Sequence, residues 1–511
     1  MQPVLSSAAM RAADEAAISG LGIPGFALME SAGREAARLA DEFLDGPSRI
    51  LVCCGKGNNG GDGLVMARWL LDAGHTVDVR VAGSNTSLSA DALQNLRILE
   101  HIASAHPGLP LTITLDWDGS DDLPGADLIV DALFGTGLST ALRAPFDHIV
   151  EAMNAYPAPI VALDLPSGLS ADSGMALGAC IQARMTVTMG ALKTGLLLGD
   201  GPDLAGQIHT AGIGIPLRTL QSFAREAGCG FLSTDTWVRA HLRPRTRQDH
   251  KYTTGPTLVV GGSDAFPGAP VLAARAAARM GSGYVVAAGP HAIHGQLVDK
   301  LDAIPVAGFD ERQPAQLIET LETRWSKATA LLVGPGLGRS EQRTTFLMTL
   351  LESFEGPVVL DADALWAVAD QRERIAALSR GQWILTPHEG EAKRLGSPAS
   401  ASRVEWASNL AQEWNCVVLL KGQPSVTASP NGHVVINATG HPAAATAGTG
   451  DVLAGIVTGL LAQGLEPLAA AAAGIHIGGT AAARFVEGGA SQSLVATDLI
   501  DTLPDVLRSL S

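Results

Sequence analysis

Short apolar runs rich in β-branched residues alternate with helical stretches along most of the chain, and this alternation restricts the fold more than any other feature. A first series lies between Arg49 and Gly214 and contains RILVCC, TVDVRV, DLIVDAL and PIVALDL. A second begins at Thr257 and contains TLVVGG, YVVAAG, ALLVGPG, PVVLDAD, WILTPHE and CVVLLKG. Such alternation is typical of βαβ units around a parallel sheet. The sequence therefore predicts two α/β units.

The segment between the two series marks the expected domain boundary. A chain of 511 residues is too long for one ordinary hydrophobic core. Residues 215–250 are poor in strand signals and end in HLRPRTRQDH. We place the two domains at residues 1–218 and 230–511. No register makes one half repeat the other, so we expect two different folds rather than a duplication.

Composition excludes several classes of protein. Hydrophobic residues make up 46% and charged residues 17%, which argues against bulk disorder. A formal net charge of −16, with no dense basic run, argues against a nucleic-acid partner. The apolar stretch Leu468–Thr480 is too short and too rich in alanine and glycine to span a bilayer, so we expect no membrane segment.

The N-terminus and the cysteines predict a cytoplasmic protein. Arg11, Asp14 and Glu15 interrupt the apolar region that a signal peptide would need. The five cysteines are scattered without a metal-ligand spacing, so we interpret them as reduced packing residues.

A glycine-rich segment, Gly55–Gly63, follows the first apolar strand directly and reads GKGNNGGDG. Glycines let the backbone turn tightly and expose its N–H groups, and the start of the following helix favours an anion. We interpret the segment as a loop that cradles phosphate. A tight structural turn is the alternative, although it would not need the side-chain oxygens of Asn58, Asn59 and Asp62.

Two further strands end in polar, glycine-rich segments, Asp131–Leu138 and Asp164–Gly168. Because the carboxyl ends of parallel strands meet at one edge of a sheet, we expect all three segments to form one site. Carboxylate, amide and hydroxyl oxygens are hard ligands, so a bound cation that takes oxygen ligands is consistent with this composition.

The N-terminal motifs together resemble the epimerase domain of the bacterial bifunctional NAD(P)H-hydrate repair enzymes. The motifs are MRAADEAAISGLGIPGFALMESAG, GNNGGDG, VDALFGTGL and DLPSG. The resemblance implies a Rossmann-like fold, interconversion of R- and S-NADHX and NADPHX, and bound K⁺. It implies that K⁺ is held by Asn59, Asp131 and Ser167. It implies that the hydrated nucleotide is contacted by Asn58, Asn59, Gly60, Gly61, Asp62, Gly135, Thr136, Gly137, Leu138, Ser139, Thr140, Ala141 and Asp164.

Asp164 is the candidate acid or base of this half. A carboxylate at a strand end in a closed crevice can have its pKa tuned toward neutrality, although such aspartates also cap helices and brace loops. Lys193, in ALKTGLLLG, is a candidate for a phosphate contact or for the chemistry, but an exposed loop lysine is the more usual case.

The clearest motif of the second half is Ala447–Gly455, AGTGDVLAG, which runs into an apolar helical stretch. Small residues let backbone amides form an anion hole at the start of a helix. Asp451 falls in the first turn, where it can deprotonate or hold an attacking hydroxyl, although a helix cap is the plainer interpretation. Other strand ends carry GPGLG, DAD, TPHEGE and KGQPS. His388, within TPHEGE, is either a capping residue or a ligand contact, and its turn beside two glutamates favours the ligand.

These motifs resemble the ribokinase-like dehydratase domain of the same bifunctional family. The resemblance implies ADP-dependent dehydration of S-NAD(P)HX, giving AMP and phosphate, with Mg²⁺ bridging the nucleotide phosphates. The hydrated nucleotide is then contacted by Ala269, Gly338, His388 and Asp451. The ADP site is then formed by Lys421, Gly422, Gln423, Pro424, Ser425 and Gly450.

The sequence departs from the usual pattern of that family in three places. Ala447 stands where a second glycine is common, residues 441–445 replace a longer glycine and methionine stretch, and TPHEGE replaces TPHPGE. Alanine is still small, so we expect the anion hole to survive. The preference for ADP over ATP rests only on the resemblance to bacterial members.

Two other functions are alternatives to this interpretation. A ribokinase-like small-molecule kinase fused to a nucleotide-binding module shares the GxGD motif, but the N-terminal motifs argue against it. An N-terminal half that only binds ligand is the second alternative.

The resemblance implies a homo-oligomer, and Ser6–Ile18 is an amphipathic stretch suited to a subunit contact.

Overall fold

The computed structural model describes residues 1–83, 86–120, 123–313, 315, 318–319, 328–398, 402–489 and 491–511. The chain divides into two compact units, Gln2–Cys229 and Gly230–Ser511. Residues 219–229, which lay between the two predicted domains, belong to the first unit. The helix Leu217–Phe223 packs there against the helix Ser7–Glu15.

The first unit contains an alternating series of strands and helices. Its strands β1–β9 are Gln2–Leu5, Arg49–Cys54, Thr76–Val81, Leu111–Thr114, Leu128–Ala132, Ile160–Leu163, Met185–Met189, Leu192–Lys193 and Gln207–Ala211. Its helices α1–α7 are Ser7–Glu15, Gly25–Phe43, Asn58–Asp72, Ala90–Ala105, Phe146–Ala155, Gly201–Leu204 and Leu217–Phe223.

The second unit has the same alternation, followed by helices at its C-terminal end. Its strands β10–β19 are Gly230–Leu232, Thr257–Val260, Val285–Pro290, Val306–Phe309, Ala330–Val333, Val358–Leu360, Ile384–Leu385, Val417–Leu420, Ser425–Ala428 and Val434–Asn437. Its helices α8–α18 are Asp235–His241, Ala269–Arg279, His294–Lys300, Glu341–Ser353, Asp363–Val368, Arg372–Ser379, Glu389–Leu395, Arg403–Trp414, Thr449–Ala462, Pro467–Glu487 and Ala496–Ser509.

The main sheet of the first unit is parallel, with strand order β4-β3-β2-β5-β6-β7-β9. The order reverses between β2 and β5, whose last residues Cys54 and Ala132 are paired. The connections after these two strands leave in opposite directions, so they open a crevice at the carboxyl edge of the sheet. The GNNGGDG and FGTGL segments both begin at this crevice.

The sheet of the second unit runs β13-β12-β11-β14-β15-β16-β17-β18-β19-β10. Strands β11 to β17 are parallel to one another, as predicted, and the order reverses between β11 and β14. Strands β18 and β19, which sequence patterning did not identify, form an antiparallel hairpin. Only residues 429–433 connect them, and a parallel crossover needs about a dozen residues.

Close packing of two helices fixes the position of the AGTGD segment in the second unit. Helix α16 lies against α9, and a Cβ added at Gly455 would lie 2.2 Å from the carbonyl oxygen of Ala273. Only glycine permits this approach. The packing of α16 against α9 therefore fixes the start of α16 above the carboxyl edge of the sheet.

Both predicted folds are present, a Rossmann-like parallel-sheet unit followed by a second α/β unit. Among the described residues, no helix is both long and apolar enough to cross a membrane.

Candidate active sites

The GNNGGDG segment is mostly helical, so its interpretation as a loop is wrong over most of its length. Helix α3 begins at Asn58, which leaves only Gly55–Gly57 as a connection. The turn is very tight, since a Cβ added at Gly60 would lie 1.9 Å from the carbonyl oxygen of Gly55. The motif thus brings the first turn of a helix directly to the carboxyl end of β2.

A cavity of about 620 Å³ opens at the point where the strand order reverses in the first unit. Many predicted site residues line it, namely Asn58, Asn59, Asp62, Gly135, Thr136, Gly137, Leu138 and Asp164. The lining does not include Gly60, Gly61, Ser139, Thr140 or Ala141. Residues from α1 and α2 complete it, namely Met10, Arg11, Asp14, Leu28 and Met29.

Lys193 is buried at the floor of this cavity, so the expectation of an exposed loop lysine is wrong. Its side chain is 1% exposed, and its Nζ lies 2.5 Å from Oδ1 of Asp164. The same Nζ donates to the carbonyl oxygen of Met189 at 2.6 Å and to Oγ1 of Thr188 at 3.1 Å. Lysine is almost never buried without such partners, so the burial itself marks a functional group or a strong structural pair.

The carboxyl group of Asp164 is held from several sides. Its Oδ2 accepts from the backbone N–H of Thr136 and its Oδ1 from that of Met189, both at 3.3 Å. Asp164 adopts φ +66°, a conformation that non-glycine residues rarely take. A Cβ added at Gly135 would lie 2.8 Å from Oδ2 of Asp164 and 3.5 Å from Cγ of Asn59. Residues 134–138, the FGTGL segment, therefore lie in close contact with the side chains of Asp164 and Asn59.

Two more carboxyl groups face the same cavity. Burial raises the pKa of Asp14 to about 6, while Lys193 lowers it and Asp164 raises it. Burial also raises the pKa of Asp62 well above its usual range, and the charges of Asp164 and Asp14 act in the same direction. Asp14, Asp62 and Asp164 thus line the cavity together with Lys193, and the raised pKa of Asp14 suits that carboxyl group to proton exchange near neutral pH.

Asp131 and Ser167 form a second buried cluster behind the cavity. Oδ1 of Asp131 accepts from the Ser167 hydroxyl at 2.6 Å, and Oδ2 accepts from the Ser167 N–H at 2.7 Å. Burial raises the pKa of Asp131 to about 6, although these hydrogen bonds lower it. Both side-chain polar atoms of Asn59 are buried without a hydrogen-bond partner in the described part of the chain. A buried amide usually has a hydrogen-bond partner, so the side chain of Asn59 is available to bind a ligand.

In the second unit, the AGTGD segment forms the start of helix α16. Gly448 takes φ +88° at the N-cap, and the helix begins at Thr449. Asp451 therefore lies in the first turn, where backbone N–H groups are available to an anion. The pKa of Asp451 is raised to about 7, mainly by burial and also by the charge of Asp361, whereas Lys421 acts to lower it.

Lys421 connects the carboxylates of this site. Its Nζ lies 2.8 Å from Oδ1 of Asp361 and 3.9 Å from Oε2 of Glu391. Thr386 donates its hydroxyl to the same Asp361 oxygen at 2.8 Å. Burial lowers the pKa of Lys421, but Asp361, Glu391 and Asp451 together outweigh it and leave that pKa raised.

The predicted ADP segment, Lys421–Ser425, lies beside the start of α16. A Cβ added at Gly450 would lie 3.8 Å from Nζ of Lys421, so these two predicted residues are neighbours. Ser425 donates its hydroxyl to the carbonyl oxygen of Gly422 at 2.8 Å, which closes the turn. The peptide bond between Gln423 and Pro424 is cis.

His388 is the N-cap of helix α14. Its Nδ1 accepts from the backbone N–H of Gly390 at 3.0 Å, and Glu391 accepts from the His388 N–H at 2.9 Å. The ring is 60% exposed, and its Nε2 lies 3.5 Å from Oε1 of Glu391. The structure thus assigns the capping role that the sequence left open, and it is compatible with a ligand contact through the other nitrogen.

Ala269 and Gly338 lie at the point where the strand order of the second unit reverses. Ala269 begins α9, and a Cβ added at Gly336 would lie 3.0 Å from its Cβ. The backbone N–H of Gly338 donates to Oδ2 of Asp363 at 2.8 Å. The two predicted substrate residues therefore follow β11 and β14, the adjacent strands that flank the reversal.

Sequence reasoning missed three contributors to these sites. Asp14 was seen only as a charge that interrupts a signal peptide, although its helix carries it into the cavity. Asp361 was noted at a strand end without its role as the partner of Lys421. Arg403 gave no signal at all, since nothing in its local sequence distinguishes it from a surface arginine.

Fold and sites together define a class of protein. Each unit places a lysine–aspartate pair and a glycine-rich helix start at the carboxyl edge of a mainly parallel sheet. These are the features of a two-domain α/β enzyme that acts on phosphate-bearing ligands.

Comparisons with known proteins identify the family within this class. A model described as NAD(P)H-hydrate dehydratase matches residues 257–505, and one described as YjeF-related protein N-terminus matches residues 25–195. The bifunctional NAD(P)H-hydrate repair enzyme of Salinibacter ruber is 45% identical, covering 99% of this chain and 96% of that protein. That of Moorella thermoacetica is 39% identical, covering 99% and 97%. The chain belongs to the family of bifunctional NAD(P)H-hydrate repair enzymes.

A solved structure supports the fold of the second unit. A ribokinase-like superfamily protein from Enterococcus faecalis has a TM-score of 0.50 and 21% identity, covering 55% of this chain and 96% of that one. This likeness concerns the fold alone, and it agrees with the ribokinase-like fold predicted from the sequence.

Proposed function

We propose that this chain repairs hydrated NADH and NADPH in two steps. Residues 2–229 interconvert the R and S forms of NADHX and NADPHX, and residues 230–511 use ADP to dehydrate the S form, giving NAD(P)H, AMP and phosphate. The observation that carries the proposal is a lysine–aspartate pair in each unit, the buried pair Lys193–Asp164 and the largely buried pair Lys421–Asp361. The full-length family match supports two active sites in one chain.

In the epimerase unit, Asp164 is the group that exchanges a proton with the substrate. Changing the configuration at C6, which carries the hydroxyl and the ring nitrogen, requires the bond from C6 to one of these two atoms to break and re-form. A proton must be delivered to that atom as the bond breaks and withdrawn as it re-forms. Lys193 and two backbone N–H groups fix the Asp164 carboxyl at the cavity wall. Asp14, whose pKa is about 6, is available as a second proton carrier. The remaining lining residues bind the nucleotide and exclude water.

Asn59, Asp131 and Ser167 fit a K⁺ site. The amide oxygen of Asn59 is buried without a partner, and the carboxylate of Asp131 supplies buried negative charge. Oxygen ligands of this kind suit a hard cation. When bound, K⁺ would supply positive charge beside the phosphate-binding helix start, and the side chains named here would hold it.

In the dehydratase unit, Asp451 accepts the proton of the C6 hydroxyl as that oxygen attacks the terminal phosphorus of ADP. The bond from phosphorus to the AMP oxygen breaks, and AMP leaves. Loss of phosphate and of a C5 proton then restores the nicotinamide double bond, since phosphate leaves far more readily than hydroxide. Lys421–Ser425 and Gly450 hold ADP, while Ala269, Gly338 and His388 hold the hydrated nucleotide.

The carboxylates around Lys421 are compatible with Mg²⁺. This ion normally takes one or two protein carboxylates together with substrate phosphates, and Asp361 and Asp451 both contribute charge here. When bound, Mg²⁺ would neutralise charge on the transferred phosphoryl group. We further propose a cytoplasmic homo-oligomer, in keeping with substrates that arise from NADH and NADPH.

One experiment tests both activities. The full-length protein is incubated with mixed R- and S-NADHX, ADP and Mg²⁺, and the absorbance of NADH is followed. Complete recovery is expected. Recovery that is absent, or equally fast without nucleotide, would refute the dehydratase. Recovery that stops at the S fraction, with the rest returning only at the spontaneous rate, would refute the epimerase.

A further inference from the structure

Arg403, the first residue of helix α15, lies between two segments of the dehydratase site. One is the turn that carries His388, and the other is the segment Lys421–Ser425. The Arg403 side chain is only 15% exposed, although arginine is rarely buried without partners. No role in substrate or nucleotide binding follows from its local sequence.

Every nitrogen of the Arg403 guanidinium has a partner in these two segments. Nε donates to the carbonyl oxygen of Pro424 at 3.2 Å, and Nη2 donates to that of Lys421 at 3.0 Å. Nη1 forms an ion pair with Glu389, which begins helix α14. One side chain therefore links the backbone on both sides of the turn 422–423 to the turn that follows β16.

The backbone of the segment is shaped to receive this guanidinium. Gly422 takes φ +153°, and a Cβ added there would lie 2.3 Å from Nη2 of Arg403. Any side chain at this position would displace the arginine or the segment.

The orientation of the Lys421 and Pro424 carbonyl groups affects how well the segment can bind an anion. A carbonyl oxygen that faced the phosphates would repel them, and a carbonyl that is engaged by Arg403 faces away. The N–H groups of Lys421 and Gly422 are already bonded to Pro387 and Ser425, so the group that the segment offers to an anion is Nζ of Lys421. All three guanidinium nitrogens of Arg403 contact the two segments, so we expect its effect to be exerted through them.

We propose that Arg403 is a positioning residue that holds Lys421–Ser425 in its ADP-binding conformation, and that Glu389 holds Arg403. The inference rests on the proposed role of this segment in ADP binding. The ion pair between Arg403 and Glu389 thus joins the nucleotide segment to the turn that carries His388.

The test measures ADP binding and dehydration in full-length variants with Mg²⁺. R403A should raise the Kd and the KM for ADP about tenfold or more, because charged hydrogen bonds to two carbonyls are lost. The KM for S-NADHX should change less than about twofold. R403K keeps the charge but lacks the planar fork, so it should fall between R403A and the parent.

A variant of the partner residue separates positioning from folding. E389P places proline at the first position of helix α14, where proline is well tolerated, and removes only the ion pair. We expect a rise of about two- to fivefold in the KM for ADP. R372A is the matched control, because Arg372 forms an exposed ion pair with Glu413 in the same unit. It should leave the KM for ADP unchanged.

The outcomes distinguish this inference from the proposed function. An unchanged Kd for ADP in R403A and E389P would overturn the positioning role. A fall in kcat with the melting temperature, at constant KM for ADP, would overturn it as well, since it indicates a merely structural arginine. If the parent protein binds ADP but does not dehydrate S-NADHX, the proposed function fails while the Kd comparison still tests Arg403.

Discussion

The ammonium group of Lys193 lies 2.5 Å from a carboxylate oxygen of Asp164 in the cavity of the first unit. The two residues are 29 positions apart in the chain by their numbers; Asp164 directly follows β6, and Lys193 is the last residue of β8. Their pairing orients the carboxyl group that the DLPSG motif places at the cavity.

Asp164→Asn should reduce epimerisation by at least about 100-fold, because an amide cannot exchange the proton. Asparagine tolerates the φ of +66° at this position, so the variant should fold. Lys193→Met should reduce the rate similarly, since it leaves Asp164 without its cation. The measurement is conversion of R- to S-NADHX, with ADP-dependent dehydration of S-NADHX as the internal control. Equal loss of both activities would contradict independent sites.

Dehydration should depend on the charge of Asp451. Its carboxylate form is the proton acceptor, and its pKa is raised to about 7, so the active fraction falls as the pH drops below that value. We expect kcat/KM for S-NADHX to decrease about tenfold for each pH unit on the acid side. Asp451→Asn should remove the activity by about 100-fold or more and leave epimerisation intact. A pH profile that is flat between pH 5 and 8 would exclude Asp451 as the base.

K⁺ should stabilise the epimerase unit. An ion that binds only the folded state raises the free energy of unfolding by RT ln(1 + [K⁺]/Kd). We expect the melting temperature to rise with KCl and to rise less with LiCl at equal ionic strength. Asn59→Ala should abolish this difference, because it removes the unpartnered buried amide. The same response to both salts in the parent protein would refute the K⁺ site.

Gly60→Ala should destabilise the first unit by about 1–3 kcal/mol or more, because the new methyl group would lie 1.9 Å from a backbone oxygen that cannot move easily. Gly108→Ala is the matched control, since a Cβ there meets nothing within 4 Å and the position is exposed. Its effect should stay within about 1 kcal/mol. Chemical denaturation of both variants, followed by circular dichroism, provides the comparison.

The local sequence pattern was sufficient to predict the buried parallel strands and to find the glycine-rich motifs. A buried parallel strand needs a continuous apolar run, and RILVCC and TLVVGG supply it regardless of what surrounds them. Sequence patterning did not identify the antiparallel hairpin Ser425–Asn437 because its strands have only four residues each, and their direction is set by a five-residue connection rather than by composition.

The residues of the candidate sites likewise fall into two groups, those that the local sequence indicated and those that only tertiary packing revealed. Asp164, Asp451 and Lys421 each stand in a motif whose residue types restrict the chemistry, so the sequence alone was enough to propose them as site residues. Arg403 and Asp14 stand in ordinary amphipathic helices, and only packing against distant segments gives them partners. The burial of Lys193 belongs to this second group, because local sequence does not report how much of a side chain the rest of the chain covers.

By itself the sequence determined the two α/β units, the family and most of the motifs at the strand ends, because these depend on residue type and short spacing. The tertiary structure decided which charges meet. The pairs Lys193–Asp164, Lys421–Asp361 and Arg403–Glu389 join residues from separate elements. Electrostatic interaction depends on distance and on exclusion of water, and both arise only when the sheets and helices have packed.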